Sequence, residues 1–411
     1  MTLIYNISDL IDAKSKSIKN SFIIIILLLS IFFIDRLEIY NIDEVLGDVV
    51  ESTEQEQNSA SENFNEFNID EEVLQQPQAI VNISEFSFNF CNREDFPCFN
   101  VYHNSFRNAQ NSIKCAIQDF NQYNLTQALY EQSIKGVEIQ LVVDNNYIDR
   151  DFSTQLENTS IEIIDDSSRS SRYDNLMHHK FCIIDNKDVI FGSANPTGFG
   201  LQRNENIVLK VNNSPQLAQE FVSEFDLLFN NTFGTKKDNY EYYNTKYQLI
   251  ENDEIIGDFK VYFCPHQNCN SQTTMVLESA TQSIDFLTFV LTYNDIEDIL
   301  KNKSQEGIEV RGLVESRLIN ARGSIITDEL QYLFDIKKED AAPTMHHKTF
   351  IIDNQCIIFG SLNPSQSGML YNDESVIIVN SSKIAQQFNE EFERLFSQGI
   401  YFKEENRSID S

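Results

Sequence analysis

The chain reads as an α/β protein made of two tandem sandwich units packed face to face around one shared site. Three observations predict this. A unit recurs at an offset that stays between 167 and 173 residues. Apolar strands alternate with helical segments inside each copy. The same His, Lys and Asn set stands at matching places in both.

The repeat is visible along its whole length. Phe90-Cys91 is matched by Phe263-Cys264, and Ser112-Ile113 by Ser283-Ile284. KGVEIQLVVD, ending at Asp144, is matched by EGIEVRGLVE, ending at Glu315. MHHKFCIID from Met177 pairs with MHHKTFIID from Met345, and FVSEFDLLF from Phe221 with FNEEFERLF from Phe388. A constant offset is the mark of tandem duplication. Each copy reads strand, helix, strand, a paired strand set and a closing helix. LTQALYEQSIKG predicts a helix after Asn124, with Leu125, Leu129 and Ile134 on one side and Gly136 as its stop. Strands apolar throughout, alternating with helices, imply a sheet covered on both faces.

Length and composition agree. The 411 residues suit two domains and a tail, and 41% hydrophobic with 11% aromatic content excludes global disorder. The expected divisions are an N-terminal segment at 1–40, an acidic linker at 41–80, a first domain at 81–234, a bridge at 235–257, a second domain at 258–403 and a tail at 404–411. Of the net charge of -32, residues 41–75 hold -11 and 76–411 hold -21. So acidic a body repels phosphate backbones and excludes a large sequence-independent nucleic-acid footprint.

Ser21 to Ile34, SFIIIILLLSIFFI, is uncharged. As a helix it spans about 21 Å against a hydrocarbon core of about 30 Å. Lys14, Lys16 and Lys19 precede it, which favours a translocated body. No small-x-small site follows, so an uncleaved signal anchor leads, with a cleaved signal peptide and a buried or interfacial helix as the other readings. Cys91/Cys98 and Cys264/Cys269 form two close pairs, while Cys115, Cys182 and Cys356 lie in apolar stretches as core thiols. The close pairs fit disulfides in an oxidising compartment, with reduced thiols, or zinc held with His266, as alternatives.

His178-x-Lys180 is followed by Asp185 and by Gly192-Ser193-Ala194-Asn195. His346-x-Lys348 leads at identical spacing to Asp353 and Gly360-Ser361-Leu362-Asn363. Glu205 and Glu374 follow, ten and eleven residues past the asparagines. Along a strand, i and i+2 share a face, so His178 and Lys180 point together while His179, like His347, turns away. Two imidazoles, two ammonium groups and two amides suit a phosphodiester. Lys and Asn hold the non-bridging oxygens, one His attacks phosphorus, and its partner moves a proton. Glu205 and Glu374 are expected to hold the rings' remaining N–H groups. Ser193 and Ser361 are candidates to add hydroxyls to the phosphate, and the glycine loops to present free backbone N–H groups.

On these residues the sequence resembles the phospholipase D superfamily, with two HxK(x)4D(x)6GSxN (HKD) motifs across 85–400. Phe-Cys-Pro at 263–265 and the HHK form are similar to a branch holding phospholipase D-like proteins, cardiolipin-hydrolase relatives and nucleases. The resemblance implies two phospholipase D-like α/β sandwich units sharing one active site and ping-pong phosphohistidine chemistry without metal or cofactor. It also implies His178 as nucleophile and a structural part for Asp185 and Asp353.

A phospholipid, cut at its distal phosphodiester, is the expected substrate. The apolar N-terminal segment supplies membrane association, and a monomer suffices because both half-sites lie in one chain. The implied compartments are the endomembrane or secretory pathway with a lumenal or extracellular body, or the mitochondrial outer membrane. A metal-independent nuclease is the runner-up. It is disfavoured because only Lys187 and Arg203 are basic between Lys180 and Asn206, and Glu339 and Asp340 answer Lys337 and Lys338. A silent membrane scaffold is the third reading.

Overall fold

The computed structural model describes residues 78–402 apart from 149–155, 157–158, 169–175, 238–242, 244, 321–322, 327 and 340–342. The expected apolar helix at 21–34, most of the acidic linker and the 404–411 tail lie outside the described residues. All described residues belong to one compact unit, Gln75–Ser411.

The first half contains β2 (Phe86–Phe90), α1 (Pro97–Asn108), β3 (Ser112–Ile117), α2 (Tyr123–Ile134), β4 (Glu138–Val143), β5 (Glu162–Asp165), β6 (Lys180–Ile184), β7 (Asp188–Gly192), α3 (Gly198–Gln202), β8 (Ile207–Val211) and α4 (Pro215–Phe229). Its sheet runs β2-β8-β7-β6-β3-β4-β5. The second half repeats this with β10 (Glu254–Cys264), α5 (Cys269–Glu278), β11 (Ser283–Thr288), α6 (Asn294–Gln305), β12 (Glu309–Val314), α7 (Asp328–Leu333), β13 (Asp335–Lys338), β14 (Lys348–Ile352), β15 (Cys356–Gly360), α8 (Gln366–Leu370), β16 (Glu374–Asn380) and α9 (Ser382–Gln398). The order β10-β16-β15-β14-β11-β12-β13 reproduces the first sheet strand for strand. Three strands extend it: β1 (Ala79–Ile83) and β9 (Thr245–Glu251) at one edge, and β17 (Ile400–Tyr401) at the other.

The domain boundaries therefore differ from expectation. Residues 79–83 join the second half's sheet, where β1 pairs in parallel with β9. The 235–257 bridge holds β9 and the start of β10, joined as a hairpin whose turn residues Asn252 and Asp253 both have positive φ. Short polar residues tolerate that conformation, which fits the twist of a two-residue hairpin. Tyr247 and Leu249 alternate with Lys246 and Gln248, a period of two that marks a half-buried strand. Tyr247 stacks on Phe259 and donates to Glu220 at 2.7 Å.

Burial explains the apolar strands. In β6, Phe181 and Ile183 join the core between the halves, while Cys182 and Ile184 join the core under α1 and α2. The second sheet has its own outer core around Phe286, Ile296 and Leu330. In α2, Leu125 and Leu129 are buried as expected, but Ile134 is exposed at the helix end. Phe221 of α4 joins the halves, its ring centroid 5.1 Å from Phe181, 4.9 Å from Phe191 and 5.0 Å from Phe263.

Cys91–Cys98 and Cys264–Cys269 are disulfides, so the zinc alternative at His266 falls. Cys115 and Cys182, expected as core thiols, also form a disulfide. They face each other directly across β3 and β6, a proximity set by strand register and hidden at 67 residues' separation. The second half places Phe286 opposite Phe350 in the matching position.

Removing the ring that joins both halves leaves a cavity in the shared core. Phe221→Ala is expected to cost about 3–5 kcal/mol, read as a lower urea midpoint at unchanged slope.

Candidate active site at the seam between the halves

The motif histidines sit on the segments leading into β6 and β14, and each segment is pinned by the opposite half. Met177 bridges Asp373, and Met345 bridges Glu205. His178 N donates to Asp373 O at 2.9 Å, and His346 N to Glu205 O at 3.0 Å. The side chains cross in the same way. His178 Nδ1 lies 2.7 Å from Glu374 Oε2, and His346 Nδ1 lies 2.9 Å from Asn206 Oδ1. Asn206 Nδ2 donates to Gly200 O at 3.0 Å, which turns the amide oxygen toward the ring. Each Nδ1 is thereby a donor, leaving Nε2 as the reactive nitrogen.

Lys180 and Lys348 are buried beside them and donate to the carbonyls of His178 and His346 at 2.7 and 2.8 Å. Burial, then Lys180 and Lys348, pushes His178 well below the usual imidazole value. Burial, then Lys348, Lys180 and His178, does the same to His346, so the four groups share one electrostatic environment. Burial lowers Lys180 to about 7, opposed by Glu374. Burial, then Lys180, pushes Lys348 well below the usual ammonium value, opposed by Glu374. Burial also raises Glu374 to about 7 against the pull of Lys180. Such a cluster is relieved by an anion.

Asn195 and Asn363 flank it, each with a buried Oδ1 that has no hydrogen-bond partner among the described residues. Their loops depend on glycine through close approach: a Cβ at Gly192 would stand 2.1 Å from Ile207 O, and one at Gly360 2.2 Å from Ser375 O. The loop N–H groups of Ser193 and Ser361 are not free but bond those same carbonyls, at 2.9 Å each.

Two expectations need correction. Glu205 holds no ring; its carboxylate meets Arg394 at 2.9 Å, and only its backbone places His346. Strand alternation turns residues 205 and 206 to opposite faces, so Asn206, eleven residues past Asn195 as Glu374 is past Asn363, takes the ring. Equal spacing would have singled it out. Ser193 and Ser361 do not face a substrate: they donate to Asn206 Oδ1 and Glu374 Oε2 at 2.8 and 2.6 Å and accept from Ile207 N and Ser375 N. Asp185 and Asp353 lie in the β6–β7 and β14–β15 turns, both with positive φ. Asp185 accepts the N–H groups of Gln110, Asn111 and Ser112, and Asp353 those of Thr281, Gln282 and Ser283. They tie turns to strands away from the rings, the structural part that the resemblance implies.

Sequence reasoning also missed Gln118 and Phe289, at matching positions just past β3 and β11. Gln118 Oε1 accepts from Asn195 Nδ2 at 3.3 Å and from Lys180 Nζ at 3.4 Å. Phe289 packs its ring 4.8 Å from His346 and 5.1 Å from Lys348 Nζ. No periodicity marks either. His179 bonds Glu224 at 2.8 Å behind the site. His347 is buried, and burial lowers it to about 3.

The family described as "Cardiolipin synthase, PLD-like domain" matches residues 102–229 and 274–396, one match in each half. The chain belongs to the phospholipase D superfamily. It is thus a member of a superfamily of phosphodiesterases. Mitochondrial cardiolipin hydrolase of Chlamydomonas reinhardtii is 28% identical over 141 residues, 32% of this chain and 63% of that protein. Phospholipase D of Rickettsia prowazekii is 26% identical over 126 residues, 31% of this chain and 62% of that protein. The chain thus spans under two thirds of the length of these relatives. Phosphatidylserine synthase of Haemophilus influenzae shares the fold at TM-score 0.58 and 12% identity, covering 77% of this chain and 87% of that one.

Although burial raises it, the Asp353 carboxyl is held below its ordinary value by the N–H groups of Ser283, Gln282 and Thr281. A depressed carboxyl stabilises the fold above its unfolded pKa, and that contribution is lost as pH falls through the folded value. Asp353→Asn is expected to lower the urea midpoint at neutral pH, with the gap closing in acid. Phosphodiester turnover per folded molecule should stay near wild type; a collapse of turnover at intact folding would make Asp353 catalytic.

Proposed function

We propose that this phospholipase D-superfamily enzyme hydrolyses the distal phosphodiester of a glycerophospholipid through a phosphohistidine on His178. The crossed pair of ring contacts, Glu374 to His178 and Asn206 to His346, carries the proposal. His178 Nε2 attacks phosphorus and the bond to the head-group oxygen breaks. His346, protonated on both nitrogens, gives its Nε2 proton to the departing alkoxide. Neutral His346 then takes a proton from water, the resulting hydroxide attacks phosphorus, and the N–P bond breaks. The products are phosphatidic acid and the head-group alcohol, or a new phosphodiester when an alcohol replaces water. Lys180, Lys348, Asn195 and Asn363 hold the non-bridging oxygens as charge builds.

The ring partners support this division of labour. A phosphohistidine is cationic while its Nδ1 keeps its proton, and a carboxylate behind His178 stabilises it. A neutral amide behind His346 leaves that ring the stronger acid. A lipid substrate is supported by the names of the two relatives and by the charge of -21 on residues 76–411, which disfavours a polynucleotide groove. Membrane association, at mitochondria as the relative's name has it, accords with that substrate. Among the described residues no helix is long and apolar enough to cross a membrane; the uncharged sequence stretch 21–34 is the segment we propose for membrane association. Three disulfides suit an oxidising compartment for the body.

The substrate test offers phosphatidylcholine, cardiolipin and single-stranded DNA to the full chain with EDTA present. Lipid cleavage with alcohol transfer is expected; cutting of DNA alone would replace the lipid assignment by a nuclease. With a p-nitrophenyl phosphodiester, whose leaving group needs no proton, His346→Ala should accumulate a phosphoryl adduct on His178, seen by intact-mass and peptide analysis. An adduct on any other residue removes His178 as nucleophile.

The pH–rate profile should be bell-shaped, because one ring must be neutral and the other protonated. Asn206→Asp places a carboxylate against His346 and should move the alkaline limb up by about 1 unit or more. An unmoved limb would separate His346 from the proton transfer.

A further inference from the structure

An asparagine can serve a phosphate only through its Nδ2 end, because an amide oxygen repels an anion, and a side-chain amide can stand either way round. In the first half the orientation of Asn195 is decided by a neighbour. Gln118, just past β3, is buried, and its backbone N–H donates at 3.0 Å to His179 O, between the motif residues His178 and Lys180. Its side-chain Oε1 accepts from Lys180 Nζ at 3.4 Å and from Asn195 Nδ2 at 3.3 Å.

Each orientation here follows from the one before. An ammonium group only donates, so Lys180 turns the Gln118 oxygen toward itself. That oxygen selects the NH2 end of Asn195, since a flipped Asn195 would set two amide oxygens against each other. The selection holds although it leaves Asn195 Oδ1 without a hydrogen-bond partner among the described residues. One Nδ2 hydrogen goes to Gln118, and the second remains on the same nitrogen. The duplicated half lacks this link. Phe289 stands at the place of Gln118 and keeps only the backbone tie, donating to His347 O at 3.0 Å. Asn363 Oδ1 is likewise without a partner among the described residues, and no side chain there accepts from its Nδ2.

We propose that Gln118 is the positioning residue of the first half, the acceptor that holds the Lys180 ammonium and presets Asn195 as a donor. The phosphate-holding duty of Lys180 and Asn195 rests on the function proposed above; their setting by Gln118 does not. The half that carries the proposed nucleophile thus has its donors fixed before a substrate arrives, and fixed donors need no reorganisation as charge builds. Other groups also act on Lys180. Glu374, Asp144 and Asp119 favour its charge, while Lys348, His178 and His346 share its surroundings. Burial leaves Lys180 at about 7, apart from the range of ordinary lysines, so it can be followed by itself.

The full chain, labelled with 13C at the lysine ε-carbons, is titrated with base, and Lys180→Arg identifies the resonance by its loss. Gln118→Met removes the acceptor at nearly constant length, and Gln118→Phe installs what the other half carries. Each is expected to lower the Lys180 midpoint by about half a unit or more, because the charged form loses a hydrogen bond. Gln118→Glu keeps an oxygen in place and adds charge, so it should raise the midpoint by about 1 unit or more. Repacking alone would not give opposite signs. Calorimetry with inorganic phosphate at about pH 6, where the Lys180 ammonium keeps most of its charge, should show binding about tenfold weaker in the Met and Phe variants. An unmoved midpoint in both of those variants, shifts of one sign for Met and Glu, or undiminished phosphate binding in both overturns the assignment. A wild-type chain that binds no phosphate would count against the phosphodiester reading instead, while the lysine titration still decides on Gln118.

Discussion

Two imidazoles and two ammonium groups are buried together at the seam, and each imidazole is oriented by the half it does not belong to. Everything else in the molecule serves that arrangement. Burying like charges costs several kcal/mol per ion, more than their local hydrogen bonds return. The difference is met by the apolar core that runs unbroken from β6 and α4 to β15 and α9. On the proposed function, a phosphodiester anion completes the charge balance that the free protein lacks. Stability spent in assembling the cleft is thus recovered as affinity for phosphate, with the gain greatest when a transition state carries added negative charge.

Duplication built the site and divergence made its two halves unlike. The proposed division of nucleophile from acid needs such a difference, since a symmetric pair of histidines has no reason to divide the roles. The ring partners break the symmetry, a carboxylate at Glu374 and an amide at Asn206, and the rims break it again. Gln118 gives Lys180 and Asn195 a polar neighbour, whereas Phe289 gives Lys348 a ring face. Outside the site the same drift is seen where Cys115–Cys182 stands against Phe286 and Phe350. Both pairs fill one cross-strand position, so the fold tolerated the exchange of a covalent link for aromatic packing.

Most of the fold was legible because repetition and strand period are local signals. The doubled unit gave the two sheets, and His-x-Lys gave one face of a strand. What failed did so where two chemically reasonable residues stood side by side. Glu205 has the better chemistry for holding a ring, but Asn206 has the register, and strand alternation decides between them. Hydroxyls near a motif make the serines candidates for the phosphate, yet Ser193 and Ser361 spend their hydroxyls on the residues that hold the rings. Gln118, Phe289 and the Cys115–Cys182 pair become neighbours of their partners only through sheet pairing, which no spacing in the chain records.

The bridge between the halves shows why register matters so much here. A tether of 235–257 would let two half-sites drift, and displacement of about 1 Å is enough to cost much of a reacting geometry. Instead the chain is woven across the seam. β1, which precedes the first half, lies at the edge of the second half's sheet through β9, and β9 returns directly into β10. Lys237, on the way into that hairpin, is buried against Glu224 of the first half and Asp373 of the second. Glu224 in turn holds His179, next to one motif histidine, and Asp373 O receives the N–H of that same His178. The linker is therefore part of the apparatus that sets the distance between the rings, and the two halves behave as one rigid frame because neither can move without unpairing the strands and ions of the other.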